Sequence, residues 1–213
     1  MSGDPRVRPV AFAAGADDAE ELARAEVYGL LAALFYAPPD ASMLGQFRVA
    51  VTEAPVAGAF LETSWGELVA AARRLDAMRI AAEFDTLFQG VGKPEVFLYG
   101  SFYLAGKLNE KPLVAVRQSL RELGLARSDT INETEDHIAS LCEVMRYLIA
   151  GDDAGTSNLT TQRRFFDAHL RGWVDSLCGA IEAHPDADFY AALARFTRDF
   201  FAVEAQAFDL LDF

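Results

Sequence analysis

The chain has 213 residues, with 19 Lys and Arg against 32 Asp and Glu, a formal net charge of −13. So acidic a surface repels phosphate backbones, which excludes sequence-independent nucleic-acid binding, and it attracts basic peptides. Half of the residues are apolar (52%), which excludes a disordered chain, and no run approaches the roughly 18 uninterrupted apolar residues of a membrane span.

Residues 1–16 contain Pro, Gly and Ala without periodicity and read as a loose arm with no apolar leader segment. Asp17 and Asp18 open a helix with the stripe Ala23, Val27, Leu30, Leu31, Leu34 and Phe35, ended by Pro38 and Pro39. A short helix over 41–51 and a longer one over 60–78 follow. Residues 83–90 read as a helix closing on Gly90, and 90–94 as a loop. The aromatic-rich stretch 97–108 reads as a helix, with a strand as the alternative. Residues 113–123 form a helix entered at Pro112 and closed by Gly124.

Thr130 with Glu133 three residues on fits a capping box, which predicts a helix starting near Ile131. Its stripe is Ile138, Leu141, Cys142, Met145, Leu148 and Ile149. Glu133, Glu135, Asp136 and His137 then crowd its first two turns. A core helix does not need that cluster; a site for a cationic partner would use it. Acidic groups at a helix start also complement the macrodipole, at roughly 0.3–1 kcal/mol each. Asp136 beside His137 reads equally as a local hydrogen-bonded pair or as a binding pair.

Residues 151–158 are a loop. Phe166, Leu170, Trp173, Leu177 and Ile181 make one long stripe, His184-Pro185-Asp186 a turn, and Phe189, Leu193, Phe196, Phe200, Val203 and Ala207 the last stripe. No alternating strand pattern or internal repeat occurs. The expected fold is all-α: one domain over 17–213 with about eight or nine helices. If there are two lobes, their join falls between Leu123 and Asn132.

Enzyme chemistry finds little support. A di-metal helical site needs Glu-x-x-His pairs, and His137, His169 and His184 lack Glu at that offset. Ser101, Ser119 and Ser140 sit in no Gly-x-Ser-x-Gly elbow. The loop Gly90-Val91-Gly92-Lys93-Pro94 lacks the Gly-Lys-Ser/Thr ending of a phosphate-binding loop. Cys142 and Cys178 fall inside helical patterns, as buried thiols of a reducing compartment do, and no zinc-ligand spacing occurs. No metal and no cofactor is expected.

Three blocks, in order, resemble the TorD/DmsD family of redox-enzyme maturation chaperones. Glu83-Phe84-Asp85-Thr86-Leu87-Phe88 with Gly90 is similar to its Glu-aromatic-x-x-Leu-Phe-x-Gly block. Residues 133–145 are similar to its Glu-x-x-Asp-His-x-x-x-x-x-Glu-x-Met block, with Asp136 and His137 at the signature pair. Phe166, His169, Leu170 and Trp173, then Phe189-Tyr190, are similar to its C-terminal pattern. The chain departs from the family at Thr134, where a proline is common, and at Leu98-Tyr99-Gly100-Ser101, where the family tends to Pro-Tyr-x-Ser.

The resemblance implies a cytoplasmic, non-enzymatic chaperone. It would bind the twin-arginine signal peptide of a molybdopterin oxidoreductase precursor and hold the apo-enzyme until its cofactor is inserted. A formate dehydrogenase is one such client. The alternative is an assembly factor for a cytoplasmic subunit without a twin-arginine leader. Asp136, His137, Glu133 and Glu135 would then meet the peptide's arginines, since guanidinium favours carboxylates in forked pairs. Tyr99, Ser101 and Tyr103 would stand nearby, the aromatics walling its apolar part. No nucleic acid and no stable membrane insertion is expected, and a homodimer is compatible with this reading.

Overall fold

A computed structural model describes residues 16–52, 61–90, 92–128, 131–151 and 155–211, with side chains from Ala19 onward. The expected arm, Thr130 and part of the 151–158 loop lie outside the described residues. Ten α-helices and no named strand occur among those described.

Helix α1 (Ala16–Tyr36) stops before the two prolines, as its sequence requires. It buries Ala25, Tyr28, Leu31, Ala32, Leu34 and Phe35. The expected stripe is rotated: Ala23 is exposed, while Tyr28 is fully buried. Tyr28 tolerates this because its hydroxyl donates to Glu204 at 3.0 Å, and Arg24 grips the same carboxylate at 2.8 Å.

Helix α2 (Ala41–Val49) is capped by Asp40, whose carboxylate accepts the Met43 N–H. The single helix expected over 60–78 is two, α3 (Glu62–Arg74) and α4 (Ala77–Phe84). Asp76 separates them by capping α4, accepting the Arg79 N–H at 2.8 Å. Helix α4 continues as a π-helical turn over Asp85–Gln89, closed by Gly90 at φ 44°.

The helix expected over 97–108 is shorter, α5 (Gly100–Ala105). Leu98 and Tyr99 are extended, because they hydrogen-bond to the segment around His137. Helix α6 (Lys111–Glu122) carries Pro112 in its first turn, and Gly124 follows it at φ 70°. Helix α7 (Ile138–Ala150) begins seven residues later than the capping box predicts.

The long stripe after residue 166 also divides, into α8 (Leu159–His169) and α9 (Val174–Glu182). The indole N–H of Trp173 donates to the His169 carbonyl at 2.6 Å, folding the chain over itself at the break. Helix α10 (Phe189–Asp209) runs through the core. Its first N–H groups find an acceptor far away in sequence. The Glu83 carboxylate takes those of Asp188, Phe189 and Tyr190 at 2.8, 3.1 and 2.7 Å.

Helix α1 packs chiefly on α7, and α10 on α9 and α3. One buried cluster runs from Tyr28 to Phe208 and takes residues from both sides of the connection between Leu123 and Asn132.

Candidate functional site

The four residues that the capping box assigns to a helix start lie before it. Residues 131–137 are not helical, and His137 itself caps α7, its Nδ1 accepting the Ala139 N–H at 3.1 Å. Local helix propensity loses here because the segment has better partners elsewhere. The Ile138 N–H donates to the Leu98 carbonyl, and the Gly100 N–H to the Asp136 carbonyl, both at 2.9 Å. Two short extended pieces thus pair between α5 and α7.

Asp136 is 1% exposed. Its Oδ2 accepts the Ser101 N–H at 2.9 Å, and its Oδ1 accepts the Thr134 hydroxyl at 2.7 Å. It satisfies a donor at the start of α5 that would otherwise be stranded. The hydroxyl explains the departure at Thr134, since a proline there could not donate. The Ser101 hydroxyl oxygen is buried and has no hydrogen-bond partner among the described residues.

His137 is buried, and burial pushes its pKa down to about 4, against the opposing pull of Glu133 and Asp136. It is therefore neutral near pH 7, consistent with its ring nitrogen accepting a backbone N–H. Tyr99 meets the His137 ring edge-on at 5.0 Å, and its hydroxyl donates a hydrogen bond to the Glu133 carboxylate. Burial and Glu133 hold the Tyr99 phenol well above its ordinary pKa. Tyr103 stacks on Trp173 at 5.6 Å. Gly100 is pressed to the same indole: a Cβ there would lie 3.1 Å from the ring. The acidic pair and the aromatics thus form one connected turn.

Glu135 points the other way. It pairs with Arg117 of α6 at 3.0 Å and approaches Arg127 at 3.9 Å. It also lines a groove of about 510 Å³ between α1, α7 and the connection after α6. The walls are largely apolar: Ala32, Ala33 and Tyr36 from α1, Leu120 and Leu125, and Ala139, Val144 and Tyr147 from α7. Glu143 stands at its side. Of the seven residues expected from sequence, only Glu135 lines this groove. Asp136 lines a smaller pocket of about 310 Å³ with Gly100 and His169. The groove's aromatic members, Tyr36 and Tyr147, are 45% and 42% exposed, and the sequence carried one signal for them: both are aromatics that fall off the apolar stripes of their helices.

Among the described residues, no group of three or more His, Cys, Asp and Glu could hold a metal ion. No described helix is long and apolar enough to cross a membrane. Cys142 and Cys178 are buried free thiols, and burial raises both pKa values, that of Cys178 to about 12. Such thiols are inert as nucleophiles.

An all-helical body with a buried acidic turn beside an apolar groove has the form of a binding protein. A family model, the nitrate reductase delta subunit, matches residues 57–179. The chain belongs to this family, that of the TorD-type redox-enzyme maturation chaperones. It is 28% identical over 204 residues to the chaperone protein TorD of Vibrio cholerae, covering 88% of this chain and 93% of the relative. It is 25% identical over 170 residues to the chaperone protein YcdY of Escherichia coli, covering 80% and 87%. A crystal structure of an Archaeoglobus fulgidus protein assigned to redox enzyme maturation shares the fold. Its TM-score is 0.52 at 17% identity, over 92% of this chain and 99% of that one. The TorD and YcdY relatives are named chaperones, and the chain is a maturation chaperone rather than an enzyme.

Proposed function

We propose that the chain acts in the cytoplasm, where it binds the twin-arginine signal peptide of a molybdopterin oxidoreductase and holds the apo-enzyme until its cofactor is inserted. The observation that carries this reading is the apolar groove between α1 and α7, with Glu135 and Glu143 in its lining. A twin-arginine leader offers a basic segment followed by a short apolar one, and the groove offers the complement of both.

The roles divide by exposure. Glu143, whose side chain is 50% exposed, meets the arginines directly and exchanges its ion pair with Arg146 for them, whereas Glu135, at 14%, stays held by Arg117 and Arg127. Asp136 and His137, with Glu133, Tyr99, Ser101 and Tyr103, hold the turn that sets the start of α7. The energies suit this division. Micromolar binding needs about 8 kcal/mol, and a charge-assisted hydrogen bond supplies roughly 1.5–3 kcal/mol. The apolar segment must provide much of the rest, and at about 25 cal/mol per Å² this takes on the order of 200 Å² of buried surface.

Titration calorimetry with a synthetic twin-arginine leader from a molybdopterin oxidoreductase of the same genome tests the reading; a formate dehydrogenase leader is the first to try. Ser140→Trp, which fills the groove, and Glu143→Lys should each weaken binding about tenfold, or ~1.4 kcal/mol. Unchanged affinity in both folded variants would move the peptide site away from this groove. Binding of the client only after its leader is removed would favour an assembly factor instead.

A further inference from the structure

The chain has three lysines, Lys93, Lys107 and Lys111, and all fall within nineteen consecutive residues. Every ion pair among the described residues uses an arginine, and none uses a lysine. Glu95 and Glu110 are the only carboxylates between residues 92 and 115. That stretch therefore carries 3 − 2 = +1 in a chain of net −13.

The lysines flank an exposed turn. Residues 104–109, from the end of α5 into the following turn, are the longest unbroken exposed run among the described residues. Gly106 at φ 73° and Asn109 at φ 60° fold the chain back tightly into α6. Leu104, Leu108 and Val114 are 47%, 40% and 61% exposed. Lys111 and Val114 are one helical turn apart on the exposed face of α6. Lys93 flanks the turn through aromatics: its ammonium lies 5.6 Å from the Phe97 ring, which stacks on Phe102 of α5 at 4.1 Å.

We propose that this turn is a peripheral contact for an anionic lipid surface. Leu104 and Lys111 also form part of the wall of the pocket of about 310 Å³, so the outermost contact is Lys107 with Leu108, an ammonium and an apolar side chain adjacent in the chain, the pairing that a headgroup surface takes. Lysine stems lie along apolar surface while their ammonium groups stay at the headgroups, so Leu108 can dip between them. Unpaired lysines act as point charges without the forked geometry that recognises a particular carboxylate. The attraction falls off within a Debye length, so the +1 stretch is felt close to the bilayer while the acidic body is held away. The contact is therefore weak, oriented and salt-sensitive, and it lies outside the peptide groove.

Co-sedimentation of the full chain with vesicles tests this. One set is phosphatidylglycerol and phosphatidylcholine mixed one to two, and the other is phosphatidylcholine alone. Binding to the anionic set alone is expected, lost at about 0.3 M salt. Lys107→Glu with Lys111→Glu, and separately Leu108→Asp, should each reduce it about tenfold or more while leader-peptide affinity stays unchanged. All three changed side chains are exposed, so folding is not at issue. No binding by the natural chain, or equal binding by the variants, would overturn the proposal. So would a poly-glutamate peptide that binds in a lysine-dependent way when vesicles do not, which would assign the turn to an acidic protein.

Discussion

The carboxylate of Asp136 accepts the backbone N–H of Ser101 at 2.9 Å, joining residues 35 apart in the chain. This bond ties the start of α5 to the approach of α7. An acidic residue that resembles a binding group in sequence is thereby the internal support of the turn. Asp136→Ala strands a buried N–H and the Thr134 hydroxyl, and each such group costs about 1–3 kcal/mol. Urea unfolding should show a loss of about 3 kcal/mol, with Asp136→Asn losing less because one acceptor oxygen remains. A stable Asp136→Ala variant would show that the turn does not depend on this carboxylate.

The His137 pKa gives a pH dependence of definite sign. The unfolded chain takes up this proton near pH 6.5 and the folded chain only near pH 4. Stability is therefore present above about pH 6.5 and is lost as pH falls towards 4, by up to on the order of 3 kcal/mol from this group. His169, also lowered to about 4 by burial, adds loss in the same window. His137→Asn can keep the cap on the Ala139 N–H and removes the titration. Its unfolding free energy should fall less steeply between pH 7 and pH 4.5 than that of the natural chain. Parallel curves would place the acid sensitivity elsewhere.

Glu83 should be among the most sensitive positions for stability. It gathers three N–H groups at the start of α10, the helix that contributes most to the core. Glu83→Ala should cost about 3 kcal/mol or more, and Glu83→Gln roughly half as much, measured as shifts in the urea midpoint. If Glu83→Ala leaves the midpoint unmoved, the orphaned N–H groups have found water at little cost.

Gly100 makes a steric prediction. A methyl group there meets the Trp173 ring at 3.1 Å, and the indole is fixed by its bond to His169. Gly100→Ala should cost about 1–3 kcal/mol and alter the near-ultraviolet signal of Trp173. An unaltered signal with unaltered stability would mean that the indole has room to move.

What the sequence determined by itself was local. The 3.6-residue periodicity specified a helical protein. The two prolines after Tyr36 and the glycine after Leu123 marked helix ends, because neither residue needs a partner to exert its backbone constraint. The Glu83, Asp136–His137 and Trp173 blocks were legible as a family pattern. Tertiary structure decided the events in which a distant partner outbid a local one. Residues 131–137 had the composition of a helix start but stay non-helical, since their polar groups bond to Tyr99, Gly100, Ser101 and Arg117. The stripe through Trp173 broke where its indole turned back to the nearby His169 carbonyl and stacked on the distant Tyr103 of α5. The groove came last. It is made of α1 and α7 side chains more than a hundred residues apart, such as Tyr36 and Tyr147. Each lies off the apolar stripe of its own helix, and only the packing of the two helices brings both into one groove.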